Sequence, residues 1–480
     1  MLDISPAGLQ PALQNTQHKQ SHSTNPTTQL QKRSTAKGTK RVNTSEAISA
    51  AAVAGLAERR LDWRHKAVPA AENGATHADF LAAKHTLSDF QTPLLTLDAA
   101  ALQANADRLA EWCADHGVLL APHGKTTMAP QLWTEQLNRG AWGITLANFA
   151  QLRVAREFGV RNLQLANSLT DPHAIQWVAE QDSTILSWVD SVDTVALIER
   201  TLADTDSVLD VLVELGAHGG RTGARGVDAA MDIARAISAS PNLRLVGVSG
   251  YEGSLAHTAD DAGLAAVRGY LAQMRLLHEE LLAADLYGSG SVIITAGGSA
   301  YFDDVVTVLS PCISTTAEAA PTVSHSLKVD LMIRSGAYII HDDGFYRGIS
   351  PFSRVGDQPF TAGMHGWARV VSQTEPGLAI LDAGKRDLPF DEGLPEPQLI
   401  GSTLGGAMEP LVGAEITSIN DQHSFMTFDA GTTTVRPGDV IRLGLSHPCT
   451  AFDKWTVIPV LADSTPGGDQ TVVDLIHTFF

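Results

Sequence analysis

Between residues 118 and 334, short and nearly continuous apolar runs alternate with longer stretches of helical periodicity. The runs cover residues 118–122, 142–147, 162–166, 184–189, 208–215, 243–249, 292–295 and 329–334. Between them, residues 147–158, 172–181, 191–203, 227–239 and 260–284 repeat apolar positions at three- and four-residue spacing, the mark of a helix with one buried face. A strand that is apolar on both sides is covered on both sides, so the pattern predicts a parallel sheet wrapped in helices. Eight such units in about 240 residues match the size of an α/β fold of the TIM type, an eight-stranded β/α barrel. An open doubly wound sheet is the competing arrangement. The count of eight, and the absence of a Gly-rich dinucleotide loop after the first strand, favour the barrel.

Ahead of this rhythm, residues 93–97 read as a strand and 100–116 as an amphipathic helix that Asp98 is placed to cap. After Tyr338 the texture changes. Segments 368–372, 378–381, 423–428, 440–443 and 455–460 are short and alternating, separated by Gly, Pro and Asp, which predicts a small antiparallel β domain. Strand 93–97 is a candidate member of it. The chain thus divides into a polar tail (1–45), a helical segment and strand (46–98), the barrel (99–360) and a C-terminal β domain (361–480).

Composition refines this reading at the N-terminus. Residues 1–45 hold 21 Ser, Thr, Asn or Gln, and the first aromatic residue of the chain is Trp63. So little apolar area does not offset the entropy of ordering, and the tail reads as disordered. The tail carries a balance of +5 within a net charge of −19, which leaves −24 on the body. A body that acidic argues against nucleic acid and anionic membrane as partners. No apolar stretch is long enough to span a bilayer and no secretory signal is read, so the expected location is the cytoplasm. Cys113, Cys312 and Cys449 are odd in number and lack metal-type spacing among themselves, consistent with a reduced compartment.

In a barrel the chemistry sits where the strands end. The first strand ends in Pro122-His123-Gly124-Lys125-Thr126-Thr127. Desolvation at that position lowers a lysine pKa toward the range in which its amine forms a Schiff base; the alternative is a lysine paired with a carboxylate at the rim. The seventh strand ends in Gly297-Gly298-Ser299, where backbone N–H groups and a hydroxyl can approach an anion, although a Gly-Gly pair also marks ordinary turns. Arg221 and Thr222 after the fifth strand, and Tyr251 after the sixth, are set to face the mouth; Arg221 could equally pair with Glu214. Strand eight runs into Arg334-Ser335-Gly336-Ala337-Tyr338 at the same end. In the β domain, His447 and Cys449 lie two apart in a segment read as extended, so their side chains share a side. Imidazole and thiolate are both zinc ligands, but two are too few for a structural site, and a turn histidine beside a small buried cysteine is the plain alternative.

Taken together, these stretches resemble the D-threonine aldolase and D-serine dehydratase family, whose alanine racemase-like barrel (fold type III) carries pyridoxal phosphate. The motifs Pro122-His123-Gly124-Lys125-Thr126, Arg221-Thr222-Gly223, Gly250-Tyr251-Glu252-Gly253, Gly297-Gly298-Ser299, Arg334-Ser335-Gly336-Ala337-Tyr338, Asp421-Gln422-His423-Ser424 and His447-Pro448-Cys449 carry the likeness, over roughly residues 47–461. The resemblance implies that Lys125 bears the cofactor and that Gly297, Gly298 and Ser299 hold its phosphate, with Tyr338 beside it. It also implies that Thr222 and Tyr251 line the ring, with Arg221 or Tyr251 facing the pyridine nitrogen, and that His447 and Cys449 bind a divalent metal. Aldolases of this kind usually carry His-x-Asp at the metal pair and dehydratases His-x-Cys, so the chain leans to a zinc-assisted dehydratase. One departure is Thr126-Thr127 after the lysine, where many relatives have Thr-His, beside the bound amino acid.

The implied reaction is β-elimination from a D-amino acid bearing a β-hydroxyl, such as D-serine or D-threonine, giving a keto acid and ammonia. Retro-aldol cleavage is the first rival and racemisation the second. A cofactor-binding protein without turnover is a third, which the metal-like pair argues against. The resemblance further implies a homodimer whose active site lies between one barrel and the partner's β domain.

Overall fold

A computed structural model describes residues 47–313, 327–356 and 358–480. The tail read as disordered lies outside these residues. After β1 (Leu94–Asp98) come eight parallel strands: β2 (Leu119–Leu120), β3 (Ile144–Leu146), β4 (Asn162–Ser168), β5 (Thr184–Val189), β6 (Leu209–Leu215), β7 (Leu243–Gly250), β8 (Ser291–Thr295) and β9 (Lys328–Ile333). They lie in the order β2-β9-β8-β7-β6-β5-β4-β3. The seam between β2 and β3 closes through Trp142 N–H to Leu120 O at 2.7 Å, Thr145 N–H to Pro122 O at 3.0 Å and the bridge of His123 with Thr145. The eight-stranded β/α barrel expected from the apolar rhythm is therefore what forms, and the strand count is the reason.

The period of two along each strand divides the barrel into an inside and an outside. Leu186, Trp188, Leu212, Val246 and Met332 pack together in the interior, while their sequence neighbours Ile185, Val189, Val211, Val213, Leu331 and Ile333 pack outward on the helices. Counting on by two toward the carboxyl ends gives the next inward positions: His123, Glu214, Thr295 and Arg334. Thr145 and Gln164, between outward Ile144, Leu146, Leu163 and Leu165, join that level. The interior thus changes from apolar to polar at the mouth, and these polar residues are nonetheless buried, His123 only in part.

The second sheet contains β10 (Met364–Glu375), β11 (Leu378–Leu381), β12 (Glu396–Gly401), β13 (Glu409–Pro410), β14 (Glu415–Ile419), β15 (Ser424–Thr427), β16 (Val440–Gly444), β17 (Val457–Leu461) and β18 (Val472–His477). Its main path is β13-β12-β16-β10-β1-β17-β18, and β11, β15 and β14 continue from β10. Strand β1 does join it, antiparallel to β10 and parallel to β17. Leu61, Phe80, Leu87 and Phe90 of the N-terminal segment pack over Trp367, Val440, Val457 and Leu475, covering one face of this sheet. Among the described residues no helix is long and apolar enough to cross a membrane.

Four buried histidines give the fold an acid-sensitive character. Burial holds His278 and His341 down to about 4 and His365 and His477 to about 3, against an ordinary 6.5. Between those values the unfolded chain binds more protons than the folded one, so stability falls as pH drops from 6.5 toward 4. At pH 5 each such group costs on the order of 2 kcal/mol. Thermal unfolding at pH 5.0 is therefore expected several degrees below that at pH 7.5, and coincident melting curves would contradict the burial of these rings.

Candidate active site at the barrel mouth

Lys125 lies in the turn Gly124–Thr126 directly after β2. Burial lowers its pKa, the nearby Arg221 and Arg334 guanidiniums lower it further, and the Cys449 thiol opposes them. Among the described ion pairs none engages this amine, so the pairing with a rim carboxylate is not what the structure contains. Gly336 lets the loop after β9 lie against this segment, because a Cβ there would collide with the His123 carbonyl.

Around the lysine the polar level of the barrel is partly unsatisfied. Arg334, 3% exposed, donates to Thr295 Oγ1 at 2.7 Å and Gly250 O at 2.6 Å and lies 4.9 Å over the Trp188 ring. Thr222 Oγ1 donates to Glu214 Oε1 at 2.7 Å, while Arg221 sits 4.8 Å over the half-buried Tyr251 ring. It is thus Thr222, not Arg221, that hydrogen-bonds Glu214. Burial raises the Glu214 pKa against that hydrogen bond, and burial together with Glu252 raises that of Tyr251. Four buried atoms here lack any hydrogen-bond partner: His123 Nδ1, Gln164 Nε2, Trp188 Nε1 and Glu214 Oε2. A mouth with a desolvated amine, a flat aromatic wall and unpartnered polar atoms fits a polar heteroaromatic aldehyde such as pyridoxal phosphate.

The Gly297-Gly298-Ser299 turn stands at the end of β8, ahead of the helix Phe302–Leu309. Its first two amides have a partner that sequence reasoning missed. Gly297 N–H and Gly298 N–H donate to the fully buried Glu252 carboxylate at 3.0 and 2.8 Å. In this arrangement the glycines admit Glu252, and Ser299 is left as the turn's member for a phosphate. Tyr338 is buried, with its ring 5.9 Å from that of Phe360.

His447 and Cys449 do come together, but not through a β pleat. His447 adopts a left-handed conformation (φ 54°) and Cys449 lies in the short helix Pro448–Phe452. The turn brings the thiol within hydrogen-bonding reach of the imidazole. Cys449 Sγ also donates to Thr126 Oγ1 at 3.4 Å, next to Lys125. The pair therefore lies beside the Lys125 turn. His447 Nδ1–H donates to Asp391 Oδ2 at 2.6 Å, which leaves Nε2 as the nitrogen that can face a metal once it gives up its proton. Burial disfavours charge on this imidazole, yet Cys449 and Asp391 outweigh it and push the pKa up to about 9. A nitrogen and a sulfur donor in a pocket that attracts positive charge fit zinc. Among the described residues no group of three His, Cys, Asp or Glu side chains is placed to hold a metal ion.

Residues 97–301 match the family model described as alanine racemase, N-terminal domain, and residues 363–461 match the putative serine dehydratase domain. The chain thus joins an alanine racemase N-terminal domain to a putative serine dehydratase domain, and it resembles the D-threonine aldolase and D-serine dehydratase family. Members of this family depend on pyridoxal phosphate. A D-threonine aldolase of Arthrobacter sp. is 25% identical over 379 residues, covering 78% of this chain and 90% of that protein. A 3-hydroxy-D-aspartate aldolase of Paracoccus denitrificans (strain Pd 1222) is 25% identical over 321 residues, 64% of this chain and 76% of that protein. Among solved structures, D-threonine aldolase from Filomicrobium marinum superposes with a TM-score of 0.67 at 21% identity, over 82% of this chain and 96% of that one. D-threo-3-hydroxyaspartate dehydratase from Delftia sp. HT23 does so with 0.64 at 21%, over 82% and 99%. The family's barrel and antiparallel sheet are both present here.

Proposed function

We propose that the chain is a pyridoxal-phosphate-dependent lyase that eliminates the β-hydroxyl of a D-amino acid with the help of zinc. The observation that carries this reading is the contact of Cys449 with Thr126, which joins the metal pair to the turn bearing Lys125. When bound, pyridoxal phosphate supplies an electron sink for charge at the α-carbon, and zinc supplies Lewis acidity at the β-oxygen. The chain's own residues do the rest. Lys125 Nζ attaches the cofactor and, once exchanged for the substrate amine, takes the α-proton; its lowered pKa keeps the free base available. Tyr251 and Thr222 would line the cofactor ring, with Arg221 or Tyr251 toward its nitrogen, and Ser299 would hold the phosphate. His447 Nε2 and Cys449 Sγ would hold the metal, which would supply Lewis acidity to the substrate β-oxygen.

The choice of elimination over aldol cleavage rests on Cys449, the softer ligand that the resemblance associates with dehydratases. One structural neighbour, a cysteine-to-alanine variant of D-threo-3-hydroxyaspartate dehydratase, is in the metal-free form. The second reading, retro-aldol cleavage, is favoured by the aldolases among the relatives. Product analysis separates them. Incubation with D-serine and D-threonine is expected to yield keto acid and ammonia, and glycine plus aldehyde as the main products would replace elimination with aldol cleavage.

A further inference from the structure

We propose that Asp391 is a positioning residue for the metal, holding His447 in the one tautomer and orientation that present Nε2 to the ion. The proposal rests on the reading of His447 and Cys449 as metal ligands. His447 is a non-glycine residue at φ 54°, a conformation that needs support from its surroundings. Two carboxylates supply that support. Asp342, at the barrel end, accepts the His447 backbone N–H at 2.9 Å and, with its other oxygen, Gly344 N–H and Tyr346 N–H at 3.0 and 2.8 Å. Asp391, in the loop before β12, takes the ring.

Asp391 uses both oxygens. Oδ2 accepts from His447 Nδ1 at 2.6 Å and Oδ1 accepts from Thr450 Oγ1 at 2.6 Å. The carboxylate therefore spans Cys449, gripping the residue two before it and the residue after it. With both oxygens engaged it orients rather than ligates. Rotation of the imidazole about its Cβ–Cγ bond would break the 2.6 Å bond, and the other tautomer would turn two lone pairs toward each other. A carboxylate behind a ligating imidazole also strengthens the ring as a donor, and removing such a partner typically weakens metal binding 10- to 100-fold.

The test uses the full-length protein carrying its pyridoxal phosphate, stripped of metal and titrated with zinc against a chromophoric chelator. Asp391→Asn is expected to weaken zinc binding 10- to 100-fold, and Thr450→Val, which frees the other oxygen, by a smaller factor. In the cobalt-substituted protein, Asp391→Asn should keep the thiolate charge-transfer absorption of Cys449 while the ligand-field bands shift. Asp391→Glu should recover part of the affinity. Visible absorption of the cofactor at Lys125 should stay unchanged in all of them. Wild-type zinc affinity and an unshifted cobalt spectrum in both Asp391→Asn and Asp391→Ala would overturn the proposal. A wild-type protein that takes up no zinc, or a His447→Ala variant that binds it as well, would overturn the metal pair itself and the positioning role with it.

Discussion

Lys125→Ala is expected to lose turnover by more than about 1,000-fold, while still taking up pyridoxal phosphate weakly. No other lysine described here offers the same environment. Lys66 is committed to Asp387 at 3.0 Å, and Lys328 and Lys454 to their neighbouring aspartates. Lys125 alone combines burial at a strand end with two nearby guanidiniums that depress its pKa. Borohydride reduction of the wild-type protein should therefore fix the cofactor on the peptide containing Lys125, and in the Ala variant on none. Peptide mapping that found the label on another lysine would remove the barrel mouth as the active site.

Chelation is expected to cut elimination from D-serine by 100-fold or more while leaving the visible absorption of the bound cofactor intact. The reason lies in the leaving group. Hydroxide departs poorly without a Lewis acid, whereas chloride needs none, so β-chloro-D-alanine should lose far less activity under the same chelator. Equal loss with both substrates would mean that the metal holds the protein or the substrate carboxylate, not the β-oxygen. Cys449→Asp should shift the preference among added ions from zinc toward manganese, since a carboxylate is the harder ligand.

The barrel was legible because burial on both faces leaves a local trace. Residues 184–189 are apolar on inward and outward positions alike, and each strand repeats that signature before a helix whose periodicity differs. Where the deciding contact is distant in sequence, the same logic misled. His447 and Cys449 were read as neighbours on a pleat, whereas a left-handed turn joins them, held by Asp342 and Asp391 from 105 and 56 residues away. The Gly-Gly pair marks a turn, but nothing local tells that Glu252 occupies its amides from 45 residues upstream. Strand β18 escaped because its edge position leaves Val473 half-exposed and Asp474 outside, blurring the alternation.

The placement of β1 sets the order in which the protein can be completed during synthesis. Leu94 pairs with Trp367, and Leu97 with Val460, so the strand leaves the ribosome long before either neighbour exists. At the usual 5–20 residues per second, roughly 15 to 50 s separate its emergence from that of β10. Throughout that interval a strand of five buried residues, Leu-Leu-Thr-Leu-Asp, has both edges open while the barrel forms behind it. Topologically the barrel is an insertion within the β domain. A C-terminal fragment beginning at residue 361 lacks the strand between β10 and β17, and a barrel ending at 360 carries that strand with nothing to pair it.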